Sequence, residues 1–166
     1  MQFVANTATL TIAEGKTRVL LAVVPTAAIG FQLIEFGVSF NGTAVNEPCR
    51  IDLFKSNRAT NFTLGTKNTE ITLYQERGAG NSGKQSEAVT ATVKAAEAFS
   101  EAEPPTTIEV LKSWLVSPTA GFLYQAPLGR EVEAVPSASG FALGIQVTAP
   151  KAVSARTYME IIQGPS

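Results

Sequence analysis

GFQLIEFGVSFNG, running from Gly30 to Gly42, decides the fold class. Its apolar residues Ile34, Phe36, Val38 and Phe40 recur at every second position, and Leu33, Glu35, Gly37, Ser39 and Asn41 fill the positions between them. Successive side chains of an extended chain point to opposite faces of a sheet, so this spacing predicts a strand with one face in a core. FALGIQVT repeats the pattern near the other end, with Phe141, Leu143, Ile145 and Val147 alternating with Ala142, Gly144, Gln146 and Thr148. Ile34, Phe36, Val38, Phe40, Leu143, Ile145 and Val147 are therefore expected to point into the space between two sheets.

The same reading extends outward to Thr7 to Ala13, Thr17 to Val24, Cys49 to Lys55, Glu70 to Glu76, Glu87 to Ala95, Thr106 to Val116, Gly121 to Ala126 and Ser154 to Gln163. Turn signals separate these segments: Asn41-Gly42, Glu47-Pro48, Ser117-Pro118, Ala126-Pro127 and Ala149-Pro150. Glycine supplies unusual backbone angles there, and proline stops a hydrogen-bonded ladder. Short strands with this punctuation predict an all-β, antiparallel β-sandwich. The exception is KAAEAFSEAE, from Lys94 to Glu103, whose alanines and glutamates favour one short helix before Pro104-Pro105 ends it. No repeat and no polar linker divides the chain, so residues 1–166 are read as a single domain.

Composition narrows the function. The chain is 45% hydrophobic and only 16% charged, which suggests that part of its surface is hidden in an assembly. In Thr106 to Val116, Ile108, Val110 and Trp114 are expected on one face and Leu111 and Leu115 on the other, more apolar surface than one interior needs. A net charge of −1 provides no field to draw in nucleic acid or anionic lipid, so neither DNA nor a membrane is an expected partner. There is no histidine, and Asp52 is the only aspartate, so histidine-dependent triads and histidine metal sites are excluded. Cys49 is the sole cysteine, which excludes an intrachain disulfide and a cysteine zinc site. VLLAVVPTAAIGF, from Val19 to Phe31, follows Lys16 and Arg18 and loosely imitates a secretory signal. Pro25 interrupts it, and it is shorter than the roughly 20 residues of a membrane span, so a buried strand is the better reading.

Motifs with chemical content fail on context. GAGNSGK, from Gly78 to Lys84, has the glycines and lysine of a phosphate-binding loop. Gln85 follows where a magnesium-binding hydroxyl is needed, and EAVTATVK alternates like a strand instead of opening a helix. A mobile loop that binds no nucleotide is expected. Gly37-Val38-Ser39 starts like a nucleophile elbow, but Asn41 replaces the second glycine and no histidine can activate the serine. Glu101 with Glu103 and Glu131 with Glu133 are the nearest carboxylate pairs, and their polar settings give no reason for a raised pKa. Asn41-Gly42-Thr43 and Asn61-Phe62-Thr63 match a glycosylation pattern that arises readily by chance. No catalytic residue, cofactor or metal is expected. Trp114, Phe122 and Tyr124 could form an aromatic platform for a sugar, although core or interface packing is the commoner use of such rings.

Two blocks carry a resemblance: LIEFGVSFNGTAVNEPCRIDLF, from Leu33 to Phe54, and GFLYQAPLGREVEAVPSASGFALGIQVTAPKAVSARTYMEIIQ, from Gly121 to Gln163. Together they resemble the small jelly-roll decoration, or cement, proteins on the outside of tailed-phage heads. The resemblance implies a jelly-roll sandwich, a homotrimer and a clamp across neighbouring major capsid subunits, located on the outer surface of the virion after synthesis in the host cytoplasm. It carries no catalytic or ligand residue with it, and an enzyme is not expected. For the partner interface, the best candidates are Trp114, Phe122, Tyr124, Leu128 and Arg130, since aromatic rings, apolar anchors and forked guanidinium donors are enriched at binding hot spots. The alternative is a glycan-binding sandwich on a viral surface or tail, with Trp114 or Tyr124 as its stacking floor.

Overall fold

Alternating apolar residues can bury one face of a strand only if a second sheet covers it, and the chain meets that need with two antiparallel sheets packed face to face. The computed structural model describes residues 2–25, 29–41, 47–56, 69–77, 93–101, 108–135 and 142–163. Among them lie strands β1 (Gln2–Asn6), β2 (Leu10–Ile12), β3 (Lys16–Val24), β4 (Phe31–Phe40), β5 (Cys49–Ser56), β6 (Thr69–Ile71), β7 (Tyr74–Arg77), β8 (Lys94–Glu97), β9 (Ile108–Val116), β10 (Phe122–Gln125), β11 (Val132–Ala134), β12 (Ala142–Ala149) and β13 (Val153–Gln163). The first sheet runs β10-β4-β13-β1-β7, with β11 also on β4 and β2 also on β13. The second runs β6-β8-β3-β12-β5-β9. The antiparallel pairs β1 with β13, β3 with β12, β4 with β10 and β5 with β9 are nested, like rungs of one long hairpin whose arms are shared between the two sheets.

The core between the sheets contains Phe3, Phe31, Leu33, Phe36 and Met159 from the first sheet and Leu21, Val23, Ile51, Leu53 and Ile145 from the second. Leu143 and Val147 also point inward and are fully buried, as the alternation predicts. Phe36 and Val38 are buried, and Phe40 packs partly buried at the margin. Ile34 departs from the expectation. Where β4 meets β13, Glu35 faces Glu160 but Leu33 faces Ile161, so Ile34 is an extra residue that reverses the alternation. Leu33 takes the core position, and Ile34 is only half-buried on the strand.

A second bulge corrects the reading of β9. Leu53 faces Lys112 and Phe54 faces Val110, which leaves Leu111 as the extra residue. Leu111, Trp114 and Val116 therefore pack on the core, whereas Ile108 packs on the outer side of the second sheet with Phe54. The expected helix is also corrected: Lys94–Glu97 is strand β8, paired with β3 and β6. Ala95 and Ala96 are buried on opposite sides of that strand, so tertiary packing overrides the helix preference of alanine. Residues 102–103 of that segment lie outside the described residues. Glu70 to Glu76 divides into β6 and β7, and β1 and β11 are strands that the periodicity does not mark. Val19 to Val24 lie in β3 and are almost wholly buried, and no helix among the described residues is long and apolar enough to cross a membrane.

Candidate functional site

β9 and β10 lie at the ends of their sheets, and the side of the sandwich between them is where three of the five expected interface residues, Trp114, Phe122 and Tyr124, meet. Phe122 and Tyr124 alternate inward from β10, and Trp114 points inward from β9. Their rings close the gap between the sheets around Phe36: Trp114 lies 5.8 Å from Phe36 edge-on, 5.0 Å from Phe122 and 5.3 Å from Tyr124. Tilted and edge-on pairs of this kind contribute about 0.5–1.5 kcal/mol each beyond their burial. Lys112 adds a polar clasp, donating from Nζ to the Tyr124 hydroxyl at 2.6 Å while lying 4.6 Å from the centre of the ring. Trp114, Phe122 and Tyr124 thus join the core at its margin, half-buried. A sugar stacked on Trp114 or Tyr124 would have to compete with these contacts.

Leu128 and Arg130 stand apart from the rings, on a protruding loop. β10 pairs with Glu35 to Val38 and β11 with Phe31 to Leu33, so both follow the same edge of β4 and are separated by residues 126–131 opposite the Ile34 bulge. The loop turns at Pro127-Leu128-Gly129-Arg130, where the Arg130 amide donates to the Pro127 carbonyl at 2.9 Å and Gly129 has φ +77°. A positive φ at the third position is the signature of a type II turn, which glycine accepts without strain. Leu128 is 97% exposed at the tip, and the Arg130 side chain is exposed beside it. Seven large apolar side chains are exposed among the described residues, and Val110, Leu115, Leu123, Leu128 and Val135 all lie on β9, on β10, on this loop or just after β11. Exposed apolar surface is thus gathered around one edge of the sandwich. Sequence reading missed Leu123 and Val135; the signal for Leu123 was its position between two inward-facing rings.

Other candidates have structural roles or fall elsewhere. Glu131 accepts a hydrogen bond from the Gly129 amide at 3.0 Å, Glu133 accepts one from Gln32 at 2.7 Å, and Glu101 accepts one from the Ala13 amide at 2.7 Å. Gly37-Val38-Ser39 lies inside β4. GAGNSGK, Gln85, Glu103, Phe141 and the Asn61 pattern lie outside the described residues, as do Gly42 and Thr43. No cluster of metal-ligating side chains occurs among the described residues. Asp52 is 1% exposed and anchors a polar group on the outer side of the second sheet. Its carboxyl accepts from Ser113 at 2.5 Å, Gln146 at 2.9 Å and Arg50 at 3.2 Å, which ties β5 to both β9 and β12. Comparison with protein-family models, curated proteins and solved structures finds no match to the chain.

Proposed function

We propose that the protein is a jelly-roll decoration protein that binds the outside of a phage head as a homotrimer and holds neighbouring major capsid subunits together. The nested strand pairs support the jelly-roll assignment, since rolling one long antiparallel hairpin into two sheets generates that wind. The observation that carries the function is the gathering of exposed apolar side chains around the β9 and β10 edge of a sandwich whose core is otherwise closed. A cement protein needs a stiff body with more than one adhesive patch, because an object that touches one subunit cannot resist the separation of two. Threefold repetition then converts a weak contact per chain into a durable attachment.

In this reading the 126–131 loop meets the capsid through Leu128 and Arg130, and Val110 and Leu115 on the outer side of β9 form the seam between protomers. A leucine at the tip of a turn and a guanidinium beside it suit a shallow apolar pocket rimmed by a carboxylate or carbonyl. The test uses capsids lacking the protein and a cosedimentation assay. The wild-type protein is expected to pellet with the capsids, and a Leu128→Ser/Arg130→Ala variant is expected to remain trimeric and stay in the supernatant. Pelleting of that variant at the wild-type level would remove the loop from the interface.

A further inference from the structure

The second sheet ends in a strand that is long, exposed and regular in its second half. β9 pairs only with β5, so the backbone donors and acceptors along its far side meet no strand. None of its residues has a backbone partner there among the described residues. The strands at the other ends of the sheets, β6, β7 and β10, have three or four residues, whereas β9 has nine, none of them buried. Natural sheets guard such an edge with proline, shortness, a bulge or a charge. Here no proline occurs between Ile108 and Val116, and the Leu111 bulge leaves Lys112 to Val116 in unbroken register against Leu53 to Cys49. Lys112, the one charge in that half, is drawn to the Tyr124 hydroxyl.

We propose that β9 takes up an extended segment of another protein as an added antiparallel strand along Lys112 to Val116. A row of N–H and C=O groups at strand spacing is matched by a second extended backbone, so the edge itself dictates the conformation of its occupant. Side chains dictate the rest. Trp114 and Val116 on the inner side, and Leu115 and Val110 on the outer side at 72% and 46% exposure, are matched by apolar residues opposite them. Lys112 faces Leu53 and Glu109 faces Lys55, so both charges stand on the inner side, one on each side of the bulge. The incoming segment therefore carries a carboxylate opposite Lys112 and a cation opposite Glu109. A second copy of β9 does not supply them: pairing Lys112 to Val116 with itself about a two-fold axis sets Trp114 against Trp114 and Lys112 against Val116. Val110 and Leu115 project from the face of the sheet at right angles to its edge, so the seam assigned to them does not compete with an added strand. The inference does not rest on capsid binding.

The test is amide hydrogen exchange, followed by nuclear magnetic resonance, of the full chain with the acetylated and amidated peptide Val-Val-Ile-Thr-Glu-Val-Lys. Laid against β9 from Val116 back to Glu109 and passing over Leu111, it places its glutamate opposite Lys112 and its lysine opposite Glu109. In the free protein, alternate amides from Lys112 to Val116 are expected to exchange fast, and saturating peptide is expected to slow them about tenfold or more. A peptide with its glutamate and lysine exchanged is expected to bind about threefold more weakly or worse. Two further peptides are N-methylated at their odd or at their even residues. Only one of those sets of amides faces β9, so one peptide is expected to bind within about threefold of the parent and the other not at all. Binding of both or of neither, or equal binding of the charge-exchanged peptide, would overturn the assignment. So would no binding of the parent peptide, or β9 amides already protected in the free protein, the sign that a second copy fills the edge.

Discussion

At Gly144 the backbone of the second sheet lies against the ring of Phe54. A Cβ there would overlap Phe54 and come within 3.1 Å of the Leu21 carbonyl oxygen, so both a side chain and a neighbouring strand would have to give way. Gly144→Ala is expected to cost about 1–3 kcal/mol in chemical denaturation, as overpacked cores do. Gly129 fails for a different reason. Nothing lies near its missing side chain, but φ is +77°, so Gly129→Ala is expected to cost only about 1 kcal/mol, through backbone strain. Asp52→Ala would strand the Gln146 amide, which is 5% exposed, and is expected to cost about 1–3 kcal/mol. Cys49 is wholly buried, and burial pushes its thiol up from the ordinary range. The unfolded chain then ionises first, so this thiol leaves stability unchanged at neutral pH and lowers it as pH rises through the ordinary thiol range. A thiol reagent at pH 8 is expected to leave the folded protein unlabelled and to label it fully in denaturant.

At the level of strands, alternation identified β4, β5, β9, β10, β12 and β13 because each sends alternate apolar side chains into the space between the sheets. It could not register the bulges. Period two assigns faces correctly until one extra residue intervenes, and Ile34 and Leu111 are such residues. The consequence is measurable: Leu33→Ala is expected to cost about 2–5 kcal/mol and Ile34→Ala clearly less, the reverse of what unbroken alternation from Phe36 requires. Strand β8 was legible only at Lys94 and Ala95, where the expected strand Glu87 to Ala95 ends, and the rest was hidden for another reason. Its alanines are good helix formers, and only the pairing with β3 and β6, distant in sequence, makes them strand residues. The candidate interface was legible in part. Pro127-Leu128-Gly129-Arg130 reads as a turn from its composition, but the burial of Trp114 against Phe36 depends on β9 and β10 meeting across the two sheets, a contact that neither strand encodes alone. The same two edges explain why exposed leucines and valines cluster there, since each edge strand has a neighbour on one side only.

For the molecule as a whole, the nested pairing of β1 with β13 through β5 with β9 makes both ends of the chain neighbours in one sheet and links the two sheets repeatedly. Sedimentation at micromolar concentration is expected to show a species three times the 17.5 kDa chain, reduced to one chain by Leu115→Lys while the β-rich circular dichroism spectrum of the folded chain is retained. The proposed stiffening of a shell by this body, once attached, is read from the melting of capsids with and without bound protein. Protein that binds across subunit junctions of the intact shell must raise the temperature at which the shell comes apart, by mass action on the assembled state. Capsids are expected to melt at a higher temperature with the protein bound and to lose that increment with the Leu128→Ser/Arg130→Ala variant, if the stiffening is real. Equal melting of bare and protein-saturated capsids would contradict it.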